Sequence, residues 1–114
     1  MLGLRVQMAS EIKITDFSQF PFGRTPKHGP FNGQRFRQER LLPAFRAGNE
    51  QVLVDLNGAK GLGPSFLEEA FGGLVREGIP PDEVLSRLVV KSEGDRSFGD
   101  LIIRYVREAA ARLH

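Results

Sequence analysis

The stretch Pro64-Ser65-Phe66-Leu67-Glu68-Glu69-Ala70-Phe71-Gly72-Gly73-Leu74-Val75-Arg76-Glu77-Gly78 decides the fold. Phe66, Leu67, Ala70, Phe71, Leu74 and Val75 recur at helical period and give one broad apolar face for packing on a sheet. Pro64 suits the first helical turn, where its missing N–H costs nothing, and Gly78 is a natural C-terminal stop. On this reading Glu68, Glu69, Gly72, Gly73 and Arg76 face away from the core. Two glycines inside a helix each cost about 1 kcal/mol against alanine. Either a close backbone approach within the fold or a partner packed on a glycine-floored face must compensate, and the sequence leaves both open.

Working outward, Gln51 to Leu56 is a short β-branched run that suits a buried central strand, and Asn57-Gly58 breaks it. The loop then continues to Gly63. Downstream, Pro81-Asp82-Glu83 is the acidic opening of a short helix that ends near Arg87, and Leu88 to Lys91 reads as another strand. Glu93 to Arg96 forms a turn. Ser97 with Asp100 resembles a capping box, and Phe98, Leu101, Ile102, Tyr105, Val106, Ala109 and Leu113 make the apolar stripe of a last helix. Upstream, Glu11 to Phe17 alternates apolar and polar residues as a first strand would. Ser18 to Gly33 carries Pro21, Gly23, Pro26, Gly29, Pro30 and Gly33, a long connection without regular structure. Asn32 is placed to cap a helix over Gln34 to Phe45, and Pro43 predicts a kink with Leu42 pushed off helical geometry. The order β-α-β-α-β-α predicts an α/β fold with a mainly parallel or mixed sheet packed by helices.

A chain of 114 residues, 40% hydrophobic and 26% charged, suits one compact core. We expect a single domain over residues 11–114 behind a loose N-terminal arm, residues 1–10. The absence of cysteine excludes a disulfide framework and a thiolate zinc site. His28 and His114 lie far apart, so neither a metal nor a cofactor is expected. No run approaches membrane-spanning length, and residues 1–10 lack the apolar core of a signal peptide, which gives the cytoplasm as the expected location.

Net charge is +2, yet Arg24 to Arg46 holds six Lys or Arg residues against the single acid Glu39. Arg24, Lys27, Arg35, Arg37 and Arg40 are candidate anion-binding residues, although such a set is more often a solvated face. Phe17, Phe20, Phe22 and Phe31 interleave with these cations, a pattern that can bind single-stranded nucleic acid. Phenylalanines beside prolines more often anchor a loop to the core, and no RNP-type strand accompanies them, so nucleic acid is the lesser reading. The glycines of Gly58 to Ser65 join a strand to a helix, where a phosphate could sit, yet they fit neither nucleotide fingerprint. No nucleophile with a base, carboxylate pair or metal cluster emerges, which predicts a protein that is not an enzyme. Asp55, at a strand end, is better suited to bonding its own loop than to catalysis. His28 has no identifiable orienting acid.

Val52-Leu-Val-Asp-Leu-Asn-Gly58, followed by Ser65-Phe-Leu-Glu-Glu-Ala-Phe-Gly-Gly-Leu74, resembles the STAS-like domains of unknown function found in bacteria. Gly33-Gln-Arg-Phe-Arg37 with Leu42-Pro43 carries the same resemblance. These domains look like relatives of anti-sigma factor antagonists, whose strand-loop-helix unit bears an Asp-Ser-Ser-Gly element and docks a GHKL-type kinase that phosphorylates a serine. The resemblance implies a regulatory, protein-binding role with a GHKL-type ATPase or a sigma regulator as partner. It implies a docking surface of Lys60, Gly63, Pro64, Ser65, Glu68, Glu69, Gly72, Gly73 and Arg76. Pro64 occupies the usual phosphoacceptor position, which leaves Ser65 as the candidate phosphoacceptor or a copy that binds without phosphoregulation.

Overall fold

The structure, a computed structural model, describes residues 10–113. Of the expected arm, residues 1–9 lie outside the described residues, and Ser10 opens a strand. Strands β1 (Ser10–Lys13), β2 (Val52–Asp55) and β3 (Leu88–Lys91) form a parallel sheet in the order β1-β2-β3. The register aligns Ile12 with Val54 and Val54 with Val90. Strand alternation therefore turns Ile12, Val52, Val54, Leu88 and Val90 to one face, under the helices. Glu11, Lys13, Leu53, Asp55, Val89 and Lys91 stand on the other. Glu11, Lys13, Val89 and Lys91 are exposed, so among the described residues this second face carries no helix.

The first strand is shorter than its alternation predicts. Lys13 pairs with Asp55, the last residue of β2, so Ile14 onward has no ladder to join. The chain instead makes one helical turn, α1 (Ile14–Phe17), in which the i, i+3 pair Ile14 and Phe17 enters the core. A short period-two pattern and an i, i+3 pattern share these residues, and the length of β2 decides between them.

Helix α2 spans 33–47. It runs α-helically over Gly33–Phe36, widens into a π turn over Arg37–Leu41, and resumes over Leu42–Ala47. Asn32 caps it as expected, its side chain accepting from Arg35 N at 2.9 Å. Leu42 keeps helical angles (φ −58°, ψ −45°), contrary to the expectation drawn from Pro43. The wide turn displaces the preceding carbonyls that a proline ring would otherwise strike, so the irregularity precedes Pro43 in place of a break at Leu42.

Helix α3 spans 64–76, with Pro64 at its start and its own π turn over Glu68–Gly72. Gly78, at φ 104°, ends it in a Schellman motif: Gly78 N donates to Val75 O and Ile79 N to Leu74 O. All six predicted apolar residues of α3 are buried. Helix α4 (Pro81–Arg87) leads directly into β3, and α5 (Ser97–Ala111) closes the fold against α3. Ile102, Val106 and Ala109 of its stripe are buried, whereas Leu113 is exposed. Asp95, not Ser97, caps α5: its Oδ1 accepts from Ser97 N at 2.9 Å and from Ser97 Oγ at 2.6 Å. Phe17, Phe36, Phe66 and Phe71 form a contiguous aromatic cluster where α2 crosses α3.

Candidate docking surface

The connections that leave the C-terminal ends of β1 and β2 lie side by side, at the end of a parallel sheet where α/β folds commonly bind ligands. Segment 18–32 has no regular structure, as predicted, but it is tied down at several points. Phe22 N donates to Phe31 O, Gly33 N to Gly23 O and Gln34 N to Arg24 O, each at 2.9 Å. Lys60 N donates to Gln19 O at 2.8 Å, which joins this segment to the one that leads into α3. His28 Nδ1 accepts from Arg24 N and Thr25 N, closing a turn.

The phenylalanines divide. Phe17 is buried, and Phe31 meets it edge-on at 5.5 Å with the Arg35 guanidinium 4.9 Å from the Phe31 ring. Phe20 and Phe22 remain 64% and 63% exposed. Anchoring thus accounts for two of the four rings, and the other two stand in solvent on a pinned backbone.

Lys60, joined to this segment through Gln19, is exposed, as are Pro64 and Ser65 in the first turn of α3, and Gly63 is half-buried as the N-terminal cap residue of that helix. No side chain caps α3, so the Ser65 hydroxyl is not engaged in that way. Asp55 Oδ1 accepts from Asn57 N at 2.9 Å, the local loop bond expected of it, and Asn57 Oδ1 accepts from Glu93 N at 2.8 Å.

The outer residues of α3 differ from the sequence reading. Gly72 and Gly73 do not form an exposed floor; both are buried. Arg37 of α2 lies across Gly73, where a Cβ would come within 2.7 Å of its Cζ and 2.9 Å of its Cδ. A Cβ on Gly72 would meet the Glu68 carboxylate and, at 3.4 Å, Tyr105 O of α5. The glycines are therefore compensated by close approach within the fold. Arg37 donates to Glu69 O, to Glu69 Oε2 at 2.9 Å and to Glu77 Oε2 at 3.3 Å. Glu68 holds Arg24 at 2.5 Å and Arg76 at 2.8 Å. Burial pushes the Glu68 carboxyl up, but the hydrogen bonds and charges of Arg76 and Arg24 outweigh it and leave it below the usual glutamate range. The same hydrogen bond to Glu68 raises Arg76 against its own desolvation.

The candidate anion-binding set does not converge. Arg24 is spent on Glu68, Arg37 is buried, Arg35 bonds Glu39 and Pro30 O, and Arg40 bonds Asp16 O. Lys27 is exposed on the loop.

Sequence reasoning missed Arg87, which is 7% exposed. It donates to the carbonyls of Phe45, Gly48 and Glu50 around the C-terminus of α2 and lies 4.9 Å from the Phe45 ring. Its position three residues after buried Val84, on the same helical face, was the available signal.

These features define a small parallel α/β domain with a loop-built surface at one end of its sheet. Residues 32–98 match the family described as the STAS-like domain of unknown function (DUF4325), and the chain belongs to that family. Comparison with curated proteins and with solved structures gives no match.

Proposed function

We propose that this protein is a non-enzymatic regulatory domain that binds a protein partner through the surface formed by Phe20, Phe22, Lys60, Pro64 and Ser65. The carrying observation is the pair of phenylalanines held 64% and 63% exposed on a backbone fastened by the bonds that Phe22 N, Gly33 N, Gln34 N and Lys60 N donate and by the two that His28 Nδ1 accepts. Exposed aromatics on a preordered backbone lose little entropy on docking and bury large apolar area. Lys60 adds a positive charge at the rim. The STAS-like family and its resemblance to anti-sigma factor antagonists point to a GHKL-type ATPase or a sigma regulator as the partner class. Ser65, exposed in the first turn of α3, is the candidate switch: a phosphate there would add charge at a helix N-terminus.

Affinity capture from the host, with and without ATP, tests this reading. Wild type is compared with a Phe20→Ser/Phe22→Ser variant, whose exposed positions leave the core intact. Retention of a GHKL-type ATPase or sigma regulator by wild type, and its loss by the variant, is the expected result. Identical retention by both, or recovery of nucleic acid alone with a steep salt dependence, would overturn it. Phosphopeptide mapping after co-expression with that ATPase decides whether Ser65 is modified.

A further inference from the structure

We infer that the outer edge of β3, with the adjoining face of α5, is a self-association surface that takes a second copy of this chain. The edge lies on the sheet and the last helix, apart from the loop surface above, so the inference does not depend on that reading.

Among the described residues, the outer side of β3 has no pairing strand. β3 is an outer strand of the sheet. Lys91 O accepts from Leu56 N, toward β2. Alternation then turns the N–H and C=O groups of Leu88 and Val90 to the open side. Natural edge strands are usually blunted by charge. β1 carries Glu11 and Lys13, whereas β3 has a single charge, Lys91 at its C-terminal end, behind the uncharged Leu88-Val89-Val90, and Val89 is 38% exposed.

The helix supplies the matching cover. Between β3 and α5 runs a groove of about 200 Å³ lined by Leu85, Leu88, Val90, Ile102, Ile103 and Val106. A further strand placed against β3 would lie along this groove beneath α5. Ile103, 40% exposed, stands at its rim.

Charge selects the occupant. The outer face of α5 carries Asp100, Ile103, Arg104, Arg107 and Glu108. When two copies of this helix run antiparallel about a two-fold axis between positions 103 and 104, Asp100 of each falls opposite Arg107 of the other. The face is then complementary to itself, as an isologous interface requires. Arg104, near the axis, is drawn along its own helix toward Glu108 and over the Tyr105 ring, away from its symmetry mate. The same axis, passing beside Val90, pairs β3 with its copy in antiparallel fashion through the outward groups of Val90. The sheet becomes six-stranded, with both copies of α5 on one side.

Charge reversal tests the arrangement at exposed positions that leave the core untouched. Sedimentation velocity on the full chain, from about 1 to 100 μM, is expected to show a reversible dimer for wild type. Asp100→Arg alone and Arg107→Asp alone each place like charges opposite one another and should weaken dimerisation about tenfold or more. Mixing the two variants restores both ion pairs, so the mixture should dimerise as wild type does. Far-UV circular dichroism verifies that each variant is folded. A monomeric wild type overturns the inference and leaves the edge to an extended segment of another protein. A wild-type dimer unmoved by either reversal, or not restored by mixing, overturns it equally.

Discussion

Arg37 and Gly73 act as one unit. The guanidinium, 8% exposed by side chain, reaches Glu69 and Glu77 only because position 73 has no side chain to lift it. Gly73→Ala should destabilise the protein by about 1–3 kcal/mol in denaturant unfolding, although alanine has the better helix propensity. Truncating Arg37 to Ala removes the group that the new methyl displaces. A double-mutant cycle should therefore show strong coupling, with Gly73→Ala nearly neutral or stabilising in the Arg37→Ala background. Glu68 adds a pH dependence with a definite sign. Its carboxyl is held below the usual range in the fold, so the unfolded chain binds its proton more tightly than the native state does. The stabilisation is complete above the ordinary glutamate value and fades as pH falls through the lower, native one. Arg24 and Arg76 are 41% and 39% exposed, so water screens the cluster and its worth is about 0.5–1 kcal/mol. Glu68→Gln should lose that amount at pH 7 and progressively less as pH falls below the ordinary glutamate value of about 4.3, as urea melts across this range would show. None of this was legible in the sequence beyond the oddity of two adjacent glycines. What compensates them is a side chain 36 positions away, and helical periodicity along α3 alone carries no information about α2.

At the scale of elements, the sequence was informative where local chemistry fixes an end. Asn32 caps α2, Pro64 opens α3, Gly78 terminates it, and Leu88 to Lys91 is the third strand, because each signal acts within a few residues. It misled where a partner strand or a distant donor decides. β1 ends where β2 ends, α5 takes its cap from Asp95, and the π turns of α2 and α3 occur where these two helices cross. The C-terminus of α2 is the clearest case. The carbonyl of Phe45 and those of Gly48 and Glu50 just past the helix are satisfied by Arg87 from α4, across some forty residues of sequence. Arg87→Leu should cost about 2–4 kcal/mol, since it strands these acceptors in a half-buried corner. Arg87→Lys should recover only part of that loss, because one ammonium cannot reproduce the fork that spans three carbonyls. Amide exchange over Arg46 and Ala47 should accelerate in both variants more than exchange in α5, which supplies none of the Arg87 acceptors.

For the whole molecule, the decisive property is a parallel sheet with helices on one face only among the described residues. Parallel sheets are commonly covered on both sides, and their strands then read as unbroken apolar runs. Here Val52-Leu-Val of β2 does read that way, and the sequence alone suggested a strand buried on both faces. The open face nevertheless carries Glu11, Lys13, Asp55 and Lys91 on its three strands, with Leu53 half-buried among them and Val89 exposed at the edge. The two sides of β2 should therefore respond differently to substitution. Val54, wholly buried beneath the helices, should cost about 2–3 kcal/mol when cut to Ala, through lost burial and the cavity left behind. Leu53→Thr keeps a β-favouring side chain on a wet surface flanked by charges and should cost less than about 1 kcal/mol. Equilibrium unfolding of the two variants measures this asymmetry directly. A Leu53→Thr penalty as large as that of Val54→Ala would mean that the outer face is covered in the folded protein, and the two-layer description would then give way to a three-layer one.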